Sequence, residues 1–211
     1  VGTDRLHIAL KNLRRRLLDL GADIRFGHRL EGIEAPEGEL AALVVSGPEG
    51  SYRLPARQLI LALGHSARDT VEMLYDRGLS MEAKPFAVGV RIEHLQNHID
   101  AVQYKEYAGH PALPVSTYKL SCHLPGGRSV FSFCVCPGGE VVAAASERER
   151  TVTNGMSEYA RDGENINGGL LVNVTPEDFG SGHPLAGIAF QRRLEGAAYR
   201  LGGGDTAPCQ R

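Results

Sequence analysis

Few side chains in this sequence are both reactive and spaced for chemistry. Cys134 and Cys136 stand two apart at the end of Ser129-Val130-Phe131-Ser132-Phe133-Cys134-Val135-Cys136, a run with strand character. On a strand, residues two apart share a face with Cα atoms roughly 6.6 Å apart, the outer limit of an unstrained disulfide. A bridge there would be labile, and the plain alternative is a pair of small apolar core residues. Zinc would need a second pair of ligands nearby, and none is correctly spaced. His94 and His98 are four apart, as on one helix face, but no Glu follows His94 and the metalloprotease pattern is absent. Gly64-His65-Ser66-Ala67-Arg68 lacks the Gly-x-Ser-x-Gly order of a hydrolase nucleophile. No metal site is expected.

Two further stretches are rich in small and amide side chains: Thr151-Val152-Thr153-Asn154-Gly155-Met156-Ser157, and Arg161 to Gly169. Such connections can line a polar pocket, and they can equally be surface loops.

Positioning these groups falls to a chain organised around the apolar run Leu59-Ile60-Leu61-Ala62-Leu63 before Gly64. Without alternation, it predicts a strand buried on both faces of a parallel α/β sheet, with a ligand at its C-terminal end. Gly64 permits close approach there, and Ser66 is expected to cap the helix that follows. Ahead of it, Thr3 or Asp4 starts a helix with Leu6, Leu10, Leu13, Leu17 and Leu20 on one face, ended by Gly21. Strands are predicted at 23–26, 29–34 and 40–45, with a turn at 47–50, and a helix at 67–77 closed by Gly78. Beyond a boundary near Ser80 the pattern turns β-rich. Strands are expected at 86–93 and 170–174, a hairpin pairs 129–136 with 141–145 around Pro137-Gly138-Gly139-Glu140, and a helix spans 186–199.

Composition sets outer limits. With 211 residues the chain can bury a real core as one large or two small domains. A formal charge of −2 gives no electrostatic case for nucleic acid or an anionic membrane. Arg14-Arg15-Arg16 is the one basic cluster, read as a solvated helix face. No stretch reaches the ~18 apolar residues of a spanning helix, and four scattered cysteines suit a reduced compartment. A cytoplasmic protein is the expectation. The ends, without an initiating Met and without a closing element after Ala207-Pro208-Cys209-Gln210-Arg211, suggest a piece cut from a longer protein.

Several blocks together carry a likeness: Val1-Gly2-Thr3-Asp4-Arg5-Leu6, Gly64-His65-Ser66-Ala67-Arg68-Asp69-Thr70, Lys84 to His94, Tyr118-Lys119-Leu120-Ser121, Phe133-Cys134-Val135-Cys136-Pro137-Gly138-Gly139, and Thr153-Asn154-Gly155-Met156-Ser157. In this order they resemble an uncharacterised family of bacterial FAD-dependent dehydrogenases, within the glutathione-reductase-like flavoproteins. The resemblance implies a partial FAD/NAD(P)-binding Rossmann-like domain at 1–80 and an inserted antiparallel β-rich substrate domain at 81–211, an α/β part joined to an α+β part. It implies FAD as cofactor, a small-molecule substrate, and hydride transfer between them. Leu30 matches the position whose backbone meets the adenine. Gly64, His65 and Ser66 follow the apolar strand that ends the FAD-side motif, with Leu63 in place of the usual threonine. Gly138 and Gly139 are expected toward the flavin, and Asn154, Gly155, Met156 and Ser157 toward the substrate. Cys136 is the candidate redox or covalent partner, and Lys119 or Arg91 would neutralise an anionic substrate or the reduced flavin. The Gly-x-Gly-x-x-Gly phosphate grip is absent, and Gly202-Gly203-Gly204-Asp205 is no substitute because it follows a helix. The alternative is a binding or assembly module without catalysis.

Overall fold

The computed structural model describes residues 2–204. Cys209 and Asp205, weighed above, lie outside the described residues. The chain opens on helix α1 (Thr3–Asp19), whose leucine face follows from the spacing of Leu6, Leu10, Leu13 and Leu17. That face meets nothing: no residue of α1 is buried and its leucines are exposed. Neither Thr3 nor Asp4 caps it. Gly2 holds the cap position without a side-chain bond, and Asp4 Oδ1 instead accepts from the Tyr159 backbone N–H at 2.8 Å. Gly21, at φ 88°, ends the helix by folding Ala22 N–H back to Leu17.

Strands β1 (Arg29–Glu34), β2 (Ala42–Gly47) and β3 (Gly50–Pro55) form an antiparallel sheet whose second hairpin turns between Gly47 and Gly50. Residues 23–26, expected as a strand, are irregular and unpaired. The central expectation also fails for the described residues. Leu59 to Leu63 pairs with no strand, and Ile60 is 91% exposed. Helix α2 (Arg68–Asp76) follows, with Ala67 at its cap and Ser66 hydrogen-bonded to His65 Nδ1 rather than to the helix.

The second part is built on a four-stranded antiparallel sheet in the order β4 (Phe86–Leu95), β9 (Asn165–Val174), β6 (Ser129–Cys136), β5 (Ser121–His123). The expected hairpin around Pro137 does not form. β6 joins this sheet, whereas the next strand leaves it: β7 (Gly139–Ala143) pairs instead with β8 (Thr153–Ser157) to make a separate ribbon. The two amide-rich stretches are therefore strands, one in that ribbon and one the buried centre of the large sheet. His94 lies on β4 and His98 on α3 (Gln96–Tyr104), so they share no helix face. Helix α4 (Ala186–Leu201) closes the core, where Val174, Phe179 and Ala186 are buried against Phe86, Val88 and Phe190, with Phe86 stacked on Phe179 at 5.1 Å. All strand pairings among the described residues are antiparallel, in a mixed α/β arrangement.

Candidate functional site

Register assembles the site. On the large sheet, Arg91 stands opposite Gly169, which pairs on its other side with Phe133, while Glu93 stands opposite Asn167, which pairs on its other side with Cys136. Cross-strand partners face the same way and residues two apart repeat that face, so Arg91, Asn167 and Cys136 share one side of the sheet. Arg91 Nη1 donates to Asn167 Oδ1 at 2.7 Å and to the Cys134 carbonyl at 3.3 Å.

The register breaks between Phe133 and Cys136, and Cys134 takes φ 51°, in the left-handed region that costs a non-glycine residue roughly 1 kcal/mol or more. The bulge separates the two cysteines. Cys134 is exposed, Cys136 is buried, and both are free thiols. Spacing of two therefore does not give a shared face here, because an extra residue interrupts the alternation. The Cys136 thiol donates to the Cys134 carbonyl at 3.4 Å. Burial pushes the Cys136 pKa up, with the neighbouring Cys134 adding to it, while Ser157 and Arg91 pull the other way. The group is thus a neutral thiol at neutral pH, unlike the activated thiolates of redox catalysts.

The ribbon supplies the lid. Gly155 sits directly over the cluster: a Cβ there would collide with Asn167 Oδ1, Arg91 Nη1 and Cys136 Sγ. Alternation along the same strand turns Gly155 and Ser157 inward and leaves Asn154 and Met156 exposed. Beside Cys136 a cleft of about 590 Å³ opens, with Val115, Val135 and Pro137 on an apolar side and Ser157, Glu158 and Arg161 on a polar one.

Buried polar atoms without a partner gather near this point. Asn167 is fully buried and its Nδ2 has no acceptor; Tyr118, 9% exposed, has an unpartnered hydroxyl; His94 Nδ1 is likewise alone. Tyr118 and His94 meet edge to face at 5.8 Å, and desolvation raises the Tyr118 pKa. The Tyr118 hydroxyl stands 3.0 Å from where a Gly168 Cβ would be, so a glycine next to Asn167 makes room for it.

The remaining candidates lie elsewhere or are closed. Lys119 is exposed and makes no ion pair among the described residues. Gly138 is buried, gives its N–H to Gln96 Oε1 at 2.9 Å, and is walled by the Arg161 backbone, while Gly139 abuts the Met156 carbonyl. That turn has no free donor to offer at Gly138. Leu30 is half-buried on β1 opposite Val45, and Gly64, His65 and Ser66 are exposed at the end of the uncovered apolar run. Gly64 has φ 65° with open space beside it.

Sequence reading passed over Asn167, Tyr118 and Arg68. Asn167 and Tyr118 fell within stretches already singled out, but nothing in their spacing marked them as buried. Arg68 is 3% exposed and grips Glu195 through both terminal nitrogens, at 2.6 and 2.9 Å, tying α2 to α4. Arg192 continues that network to Glu147 and Glu72.

Residues 85–211 match the family described as FAD-dependent protein, C-terminal domain-like. Over its full length the chain is also 48% identical, across 212 residues, to an uncharacterized protein of Clostridium beijerinckii. It spans 39% of that relative's length. With more than half of its residues in the family match, and Cys136, Asn167 and Arg91 all inside the matched segment, the chain belongs to the FAD-dependent protein C-terminal-domain-like family.

Proposed function

We propose that the chain is the central part of an FAD-dependent oxidoreductase of the dehydrogenase type, in which residues 81–211 face a small-molecule substrate and residues 1–80 belong to the FAD-binding, Rossmann-like part. The observation that carries this reading is the cluster of Arg91, Asn167, Cys136 and Gly155, with Cys136 and Gly155 at the edge of a cleft, inside a segment matched by a flavoprotein family.

The described residues do not by themselves make an FAD site. No glycine-rich turn between a strand and a helix is present among them to receive a pyrophosphate, and the Gly138-Gly139 turn is closed by backbone. Gly64 to Ser66 forms an open turn without a wall opposite it. In this proposal the uncovered run Leu59 to Leu63 and the leucine face of α1 are the edge on which the rest of a longer chain builds its sheet. No helix among the described residues is long and apolar enough to cross a membrane. In this proposal the protein is a cytoplasmic enzyme.

When bound, FAD supplies a hydride acceptor at its ring system. This chain's own residues do three things. Arg91, half-buried and without an acidic partner, holds negative charge. Asn167 fixes its guanidinium. Gly155 and the walls of the cleft exclude water around the neutral Cys136 thiol. The test is an absorbance spectrum: the full-length protein should carry a flavin band and the 211-residue chain should not. A colourless full-length protein would instead favour a binding or assembly module.

A further inference from the structure

We infer that Arg150 and Arg200 form a binding site for a phosphate group, inorganic or carried by a small molecule, on the flank of α4 at Gly196. The site shares no residue with the Cys136 cluster and does not depend on the oxidoreductase reading.

Two guanidinium groups converge on one point. Gly196 is buried within α4, where a glycine weakens the helix unless something needs the room a Cβ would take. Charge takes that room: a Cβ there would stand 3.3 Å from Arg150 Nη1 and 3.5 Å from Arg200 Nη1. Arg200 arrives because helical side chains lean toward the N-terminus, which lays it over the turn four residues back. Arg150 arrives from the connection that leads into β8. There the Thr151 N–H donates to the Glu195 carbonyl at 3.1 Å and fixes the connection against the helix.

Like charges this close repel, and the chain does not offset them. The neighbouring carboxylates are taken, Glu195 by Arg68, Glu72 by Arg192, and Glu147 by both arginines. Neither Arg150 nor Arg200 has a carboxylate within ion-pair distance among the described residues. Glu149 contributes only its carbonyl, which accepts from Arg150 Nη1 at 2.9 Å. That bond anchors the Arg150 guanidinium. Its Nε is enclosed without an acceptor, whereas Nη2 makes no bond and is not enclosed, so it reaches solvent as a free donor. Arg200 is exposed and adds a guanidinium with no bond of its own.

Charge and donor count narrow the class. Two guanidinium ions balance two negative charges, and inorganic phosphate or a phosphate monoester carries close to two at neutral pH, with at least three oxygens to share between two planar forks. A monocarboxylate brings half that charge and leaves the repulsion partly unmet.

The experiment titrates inorganic phosphate into the full-length protein by calorimetry at fixed ionic strength, with acetate as the monoanionic control. Phosphate should bind about tenfold or more tightly than acetate. Arg200→Gln and Arg150→Gln should each weaken phosphate by about tenfold or more, whereas Arg193→Gln, which removes an exposed cation of α4 outside the pair, should change it by less than about twofold. Equal binding of acetate, unchanged binding in Arg200→Gln, or an equal loss in Arg193→Gln overturns the site. So does the absence of phosphate binding at about 10 mM, which leaves the pair to solvent. Should Arg150→Gln not fold, Arg200→Gln decides, because that side chain is exposed and holds no other group in place. Adenosine monophosphate set against adenosine tells the sources apart. A nucleotide bound more tightly than phosphate, with the gain lost in Arg200→Gln, assigns the group to a small molecule; a nucleotide bound no more tightly assigns it to inorganic phosphate; a nucleotide bound no better than adenosine overturns the proposal.

Discussion

Gly155 is where a single side chain decides whether the cluster can exist. Its missing Cβ is the space in which Asn167 Oδ1, Arg91 Nη1 and Cys136 Sγ converge, and all three of those atoms belong to strands of a different sheet. Backbone freedom is not the reason for a glycine here; close approach is. Gly155→Ala should therefore push the ribbon off the large sheet, destabilising the protein by about 1–3 kcal/mol as overpacked sites do. For a chain of this length that is a fall in melting temperature of roughly 3–10 °C, read by calorimetry. An unchanged melting temperature would show that the ribbon is not seated on the cluster. At the same scale, Cys136 illustrates how burial sets reactivity. Its neighbours include a cation, yet desolvation outweighs that attraction and the sulfur keeps its proton.

Between elements, the strongest tie is electrostatic. Arg68 from the start of α2 reaches Glu195 and Gln191 on α4, and Arg192 on α4 reaches Glu72 on α2 and Glu147 between them. Five charged side chains thus join a helix that follows the first sheet to the helix that closes the second. Arg68→Met removes the buried partner and leaves Glu195 unpaired, which costs about 3 kcal/mol where a buried pair is broken from one side. The same network gives a pH signature. The Glu147 carboxyl is held below its usual 4.5 by its hydrogen bonds from Arg192, with Arg68 adding attraction. A carboxylate with a depressed folded value stabilises the fold fully above its unfolded pKa and loses that contribution as pH falls through the folded one. Melting temperature should be flat from neutral pH to about 5 and fall below 4.5. In Arg192→Met the acid-dependent part of that fall should shrink, and an unaltered profile would remove Glu147 from the explanation.

Across the whole molecule, apolar surface is distributed unlike that of a self-sufficient domain. The buried hydrophobic residues are few, while Leu6, Leu10, Leu13 and Leu17 of α1 and Ile60 and Leu61 of the apolar run stand in solvent. Exposed patches of this kind mark surfaces meant to be covered. In the proposed reading, where the chain is the central part of a longer flavoprotein, the remainder covers them; the chain spans 39% of the length of the relative it matches. The 211-residue chain should accordingly bind a hydrophobic dye such as ANS several-fold more strongly than the full-length protein. Equal dye binding would count against covering of these faces by the longer chain.

Much of the element pattern was readable from local signals, because those signals are local in origin. The leucine spacing of α1, the Gly47 to Gly50 turn, the strands at 29–34 and 86–93 and the helix at 186–199 each arise from a period or a turn residue within a few positions. What the sequence alone could not assign was pairing. Pro137-Gly138-Gly139 looks like a hairpin turn, but the strands on either side go to different sheets, since β6 finds its partner in residues 165–174 and β7 finds its own in residues 153–157. The run at 59–63 announced a buried strand by composition, yet burial depends on neighbours that the described residues do not provide. The same distinction governs the site. Residue types and the family resemblance together marked Arg91, Cys136, Gly155 and Ser157 as candidates, whereas the role of Asn167 follows only from register, which sets it opposite Cys136 and beside Arg91 and leaves half its amide without a partner. Sequence determined which side chains were available; long-range strand pairing, whose free energy is gained only when distant segments meet, decided which of them stand together.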